Sequence, residues 1–199
     1  MKASMEIPLF PLGSPLFPEG KLALRIFEQR YVDMTKACIR DEQPFGVALI
    51  RAGFEVGQPA IPHDLGCLAR IQEWEVPSPG LFNLHTVGAA RFRILRRWMQ
   101  ADGLIRAEVE ALPVSLPQAI PERHSALPKL LARLMEEVGV QYFPTPVRLD
   151  DAAWVGFRLA ELMPVTPERK QALLALDDAL AVLDHVERWL VELQDPEDD

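Results

Sequence analysis

The sequence predicts an α+β protein, with strands gathered in its first part and helices in its second. Three observations predict it. Short apolar runs, many of them alternating with polar residues, are punctuated by proline and glycine as far as Pro117. Residues 112–128 then carry Pro113, Pro117, Pro121 and Pro128, the composition of a linker. Beyond them apolar residues recur at spacings of three and four, the period of a helix face. The expected organisation is a strand-rich domain over 1–117 and a helical subdomain over 118–199. A hydrophobic fraction of 49% in 199 residues is enough to build a core in each.

The elements follow in order. Pro8, Pro11, Pro15 and Pro18 exclude a helix interior or a central strand from the opening segment, because proline fixes φ and lacks a backbone donor. It reads as a short extended piece, a tight turn over 12–20, and a second extended piece over 22–27. Residues 28–41 are helical in character, and Gln43-Pro44 stops them. Residues 45–50 form a short buried strand, and 51–65, with Gly53, Gly57, Pro59 and Pro62, read as a loop. Residues 66–76 and 81–87 flank Pro77-Ser78-Pro79-Gly80 as a hairpin. A further strand starts at Gly88, and 104–112 alternate as a half-buried strand. In the second part, 125–138 form a helix ended by Gly139. Asp150 is placed to cap a helix running to Leu162, and Thr166 caps the next, with Pro167 at its first position. Leu180, Leu183, Val186, Leu190 and Leu193 mark a last apolar stripe. The tail 195–199 is acidic, unfavourable at a helix C-terminus, and is expected to fray.

The order of motifs resembles the Lon protease N-terminal domain, the substrate-binding domain also found at the front of cereblon-type proteins and in stand-alone bacterial proteins. PLFPL is Pro8 to Leu12, LFPEG is Leu16 to Gly20, and IFEQRY is Ile26 to Tyr31. The glycine-led strand beginning Gly66-Cys67, the later Gly88, Arg91, Phe92 and Ile94, and Ala107-Glu108-Val109 follow in the family's order. Leu159-Ala160-Glu161-Leu162, Lys170-Gln171-Ala172-Leu173-Leu174 and Asp177 fit its helical part, with Val182-Leu183 where Arg-Leu is usual. The resemblance implies a β pseudo-barrel (PUA-like) with one inserted helix, followed by a C-terminal α-helical bundle. It also implies a stand-alone module that binds unfolded or exposed apolar polypeptide and is associated with proteolysis.

Catalytic chemistry finds no support in the residues. There is no GxxxxGK[ST] phosphate loop, and no serine with a plausible lysine partner. His63, His85, His124 and His185 lack metal-ligand spacing; His63-Asp64 is the closest pair, and reads as a turn in which the aspartate bonds the backbone. Cys38 and Cys67 read as small buried core residues. No enzyme, cofactor or metal is therefore expected. A net charge of −8 argues against a general nucleic-acid binder. No run of about 18 apolar residues and no signal-like leader occurs, which points to a cytoplasmic protein without a membrane segment.

The candidate contacts are few. Trp74, Phe82 and Trp98 are candidates for a polypeptide-contact surface, the first two flanking a turn. Arg91, Arg93, Arg96, Arg97 and Arg106 form a local positive cluster. Arg91, Arg93 and Arg106 are the candidate charged docking residues, and they support an alternative reading as an RNA- or small-molecule-binding pseudo-barrel. Within FEQRY, Glu28 and Arg30 are read as a helix start, and Phe27 and Tyr31 as a packing seam between strand and helix.

Overall fold

The computed structural model describes residues 4–56, 60–114 and 116–194. Gly57 and Pro59 of the expected loop, and the acidic tail 195–199, lie outside the described residues. The chain divides into two compact units, Met1–Val114 and Ser115–Asp199.

The first unit is a pseudo-barrel. Its strands are β1 (Ser4–Leu12), β2 (Lys21–Ile26), β3 (Phe45–Ala52), β4 (Ile61–Ser78), β5 (Leu81–Met99) and β6 (Ile105–Ala111), with helix α1 (Gln29–Asp41) between β2 and β3. The sheet order is β2-β5-β4-β3-β1-β6, and β5 also pairs with β6. β1 and β3 are parallel; the other ladders are antiparallel. β5 makes this possible by its length. Its first half pairs with β2 and its second half with β6, both on the edge opposite β4.

Burial on both faces explains the apolar runs. Ile7, Leu9, Leu68, Phe92, Ile105, Ala107 and Val109 pack together on one side of the strands. On the other, Val47, Cys67 and Ala69 pack with Tyr31, Val32, Met34 and Cys38 of α1. Residues 45–49 are therefore buried without interruption, as a strand covered twice must be. Gly46 and Gly66 make room for Phe92, whose ring would lie 2.8 and 2.6 Å from a methyl added at either position. Gly88 is crossed by the first turn: it donates to the Gly20 carbonyl at 2.9 Å and accepts from Glu19 N at 2.8 Å.

Several local expectations shift. β3 runs to Ala52 and β4 begins at Ile61, so the expected loop over 51–65 is far shorter. Pro62 is tolerated there because it pairs at a register irregularity opposite Ile50. Asp64 makes no turn bond; it accepts from Arg97 Nη1 at 2.8 Å. Phe27 is not a packing seam. Ile26 is the last buried residue of β2, and the ring beyond it is 57% exposed.

The second unit holds α2 (Ala126–Val138), α3 (Ala152–Leu162), α4 (Pro167–Leu174) and α5 (Ala179–Gln194). Pro128 belongs to the first turn of α2 rather than to the linker, where its missing N–H costs no helical bond. The cap of α3 is Asp151, not Asp150: its side chain accepts from Ala153 N at 3.2 Å. Thr166 caps α4 with Pro167 behind it. α3 and α5 approach closely at Gly156, where an added Cβ would meet Val182 Cγ1 at 2.5 Å. His124, fully buried, places its two ring nitrogens 2.9 Å from Asp184 and 3.1 Å from Glu187 of α5.

Candidate functional site

Two clefts of the pseudo-barrel flank the C-terminal end of α1 among the described residues. Glu42 there takes a left-handed conformation (φ 51°), and its N–H closes on the Cys38 and Ile39 carbonyls. Gln43 and Pro44 then lead into β3. Cys38, Gln43 and Pro44 line both clefts.

The first cleft, about 300 Å³, lies between α1, the start of β1 and the β5–β6 connection. Its walls are apolar at Ile7, Met34, Ala37 and Leu104, with Asp33, Asp41 and Asp102 around them. Arg30 fixes one wall. It donates to Glu28 at 2.8 Å and to the Gly103 carbonyl at 3.2 Å, and lies 4.7 Å over the Tyr31 ring. Tyr31 in turn sits against Phe10, with centroids 4.5 Å apart. Glu28 is the residue before the first turn of α1, without a side-chain capping bond. Arg106 reaches Glu6 with Nε at 2.7 Å.

Burial pushes the Cys38 thiol up to about 11, with Arg106 pulling it down and Asp41 adding a smaller push upward. The thiolate is the reactive form. In the folded protein at pH 8, an alkylating reagent should therefore modify neither Cys38 nor the fully buried Cys67. Both should react once urea unfolds the chain, as mass spectrometry of the alkylated chain would read. Rapid labelling of Cys38 without denaturant would mean that the cleft opens much further.

The second cleft, about 340 Å³, lies between that helix end and β4. Ile39 and Ile71 give it an apolar floor, and Trp74 stands beside them, 49% exposed.

The predicted contact residues are dispersed. Trp74 and Arg106 line the clefts, one in each. Phe82 is buried in the α1-facing core at 7% exposure, opposite Ile26, and offers no ring to a partner. Trp98 is half-buried, with the Arg96 guanidinium 5.1 Å over its ring. Arg91 is buried while Arg93 is exposed opposite Glu110. Arg96 and Arg97 lie near Glu108 and Asp64. With Arg91 buried, the five arginines are not all open to solvent together. Among the described residues no cluster of His, Cys, Asp or Glu is arranged for a metal. The cleft residues that sequence reasoning missed include Met34, Gln43, Pro44 and Ile71. The available signal was Gln43-Pro44, which ends a helix beside a strand that outruns its neighbour.

Residues 6–192 match the family model described as the ATP-dependent protease La (LON) substrate-binding domain. The chain belongs to this family. As a Lon substrate-binding domain it is similar in structure to a Lon N-terminal domain protein from Xanthomonas campestris. That likeness has a TM-score of 0.78 and 34% identity, over 93% of this chain and 98% of that one. The N-terminal domain of the Mycobacterium avium complex Lon protease shares the fold at a TM-score of 0.65 and 17% identity, over 94% of this chain and 99% of that one. Among curated sequences, Lon protease 2 of Myxococcus xanthus is 29% identical over 88% of this chain. The Lon protease of Anaeromyxobacter dehalogenans is 30% identical over 66% of it. The Lon-family chain spans only 22% and 17% of the length of those two relatives. No described helix is long and apolar enough to cross a membrane.

Proposed function

We propose that this chain is a non-catalytic module that binds unfolded or exposed apolar polypeptide and serves proteolysis. The observation that carries the reading is the pair of clefts sharing Cys38, Gln43 and Pro44, with apolar walls and a half-exposed Trp74. Rigid aromatics at the rim of a desolvated pocket are the usual anchors of polypeptide binding. The family's own description as a substrate-binding domain agrees with it. Two free cysteines fit a reducing, cytoplasmic setting.

The test is binding of a fluorescein-labelled, permanently unfolded polypeptide, followed by anisotropy. Trp74→Ala should weaken binding about tenfold, the loss of one anchor, without changing the thermal midpoint. Absence of binding by the unaltered chain would sink the proposal. The RNA-binding alternative needs Arg91, Arg93 and Arg106 as one open positive surface. The burial of Arg91 and the hold of Glu6 on Arg106 count against it. RNA affinity that falls steeply with salt would reinstate it.

A further inference from the structure

β3 and β4 part company at Phe45 opposite Ala69. Pro44 and the left-handed Glu42 turn the chain away into α1. β4 nevertheless continues to Ser78, paired with β5 alone. Among the described residues no strand lies along its other edge from 70 to 78. The second cleft begins where β3 would have continued, between Pro44 and the Arg70–Trp74 stretch of β4. An exposed edge of this kind presents a row of backbone donors and acceptors without strand partners.

The side chains along this edge have a pattern. Strand alternation puts Trp74 on one face and Glu73 and Glu75 on the other, and Val76 follows within the irregularity between Glu75 and Ser78. All four are exposed, Trp74 by 49% and Val76 by 53%. Resting on the polypeptide-binding reading, we infer that this edge takes an extended segment as an added strand, and that the segment alternates apolar and basic residues. Backbone bonds to the edge supply register, and alternate side chains supply selectivity. Apolar side chains of the segment lie on the Trp74 face. Basic ones lie opposite Glu73 and Glu75, where opposite charges across strands stabilise.

The same features disfavour other occupants. A second copy pairing through this edge would bring its own Glu73 and Glu75 against these, and like charges across strands repel. The irregularity between Ile71 and Glu73 bends the edge away from indiscriminate pairing.

The probe is an eight-residue capped peptide alternating valine and lysine, labelled for anisotropy and titrated against the full chain. It should bind at least tenfold more tightly than a valine/glutamate version, and more tightly than a peptide of four valines followed by four lysines. The double variant E73K/E75K, with both substitutions at exposed positions, should keep its circular dichroism and weaken the valine/lysine peptide by about tenfold. N-methylation of alternate residues gives two further peptides. Methylation of the edge-facing set should abolish binding; methylation of the other set should leave it. Equal binding of both methylated sets, or no preference between lysine and glutamate, overturns the inference. If the unfolded polypeptide binds while the alternating peptide does not, strand addition fails and polypeptide binding stands. If neither binds, both fail.

Discussion

Gly88→Ala should lower the stability of the pseudo-barrel by about 3 kcal/mol, the scale of a forced backbone shift in a packed interior. A Cβ at this position would lie 2.0 Å from the Phe17 carbonyl oxygen and 3.3 Å from Cys67 Sγ. The obstacle is backbone, so no rotamer change relieves it. The turn carrying Phe17 must retreat, and both bonds that tie Gly88 to Glu19 and Gly20 lengthen with it. The comparison is Gly80→Ala. Gly80 sits at φ 78° with nothing within 4 Å of an added Cβ, so its cost is the left-handed conformation alone, about 1 kcal/mol. Urea unfolding followed by tryptophan fluorescence separates the two through their midpoints. Equal midpoints would mean that the turn over Gly88 yields freely.

Arg158→Ala should cost the helical unit about 3 kcal/mol at pH 7 by leaving the Glu161 carboxylate without its hydrogen-bonding partner. Arg158 has no exposed side-chain surface, and it donates to Glu161 through Nε and Nη2, each at 2.7 Å. Its guanidinium lies 5.9 Å from the Trp154 ring centre. Burial raises the Glu161 carboxyl above its ordinary value; Arg158 pulls it back, and Lys170 does so to a smaller extent. The side chain keeps 31% of its surface in water, so the upward push is weaker than full burial would give. Removing the arginine leaves the upward push less opposed. An acid whose folded value lies above its unfolded one contributes stability that is complete below the unfolded value. That stability is lost as pH rises through the folded value. The deficit of Arg158→Ala against the unaltered chain should therefore be largest near neutrality and shrink as pH falls toward about 4, the ordinary glutamate range. Arg158→Met with Glu161→Met should recover part of the loss, since the pair is replaced by apolar groups while the partly buried Lys170 gives up the Glu161 charge. A deficit independent of pH would show that Arg158 acts through packing and not through Glu161.

The sequence was most legible where one local signal decided the outcome. Alternation at Ile105–Ala111 reads directly as the buried Ile105, Ala107 and Val109 of β6. Thr166-Pro167 marks a helix start because capping is settled within four residues. The short motif stretches that gave the family resemblance likewise sit on elements that the structure keeps in order. Legibility fell where a distant partner decides. Alternation put Phe82 and Trp74 on a hairpin but could not say which ring the core would claim; α1 packing against the sheet claims Phe82. The arginine cluster looked open because Glu6, which holds Arg106, lies 100 residues earlier. Pro62 looked like a strand breaker because the irregularity opposite Ile50 that accommodates it belongs to the pairing, not to the local sequence. The clefts were least visible of all. The second arises from a mismatch in length between β3 and β4, and no residue in either strand announces it.

The ladder between β1 and β6 has a consequence for how the protein is made. Ser4 donates to Glu108, 104 residues later. At a synthesis rate of about 5–20 residues per second, β1 leaves the ribosome several seconds before the strand that covers its outer edge. During that interval Ile7 and Leu9 have no roof from Ala107 and Val109. β1 is thus made well before the strand that closes it, and that edge stays uncovered until Ala111 has emerged.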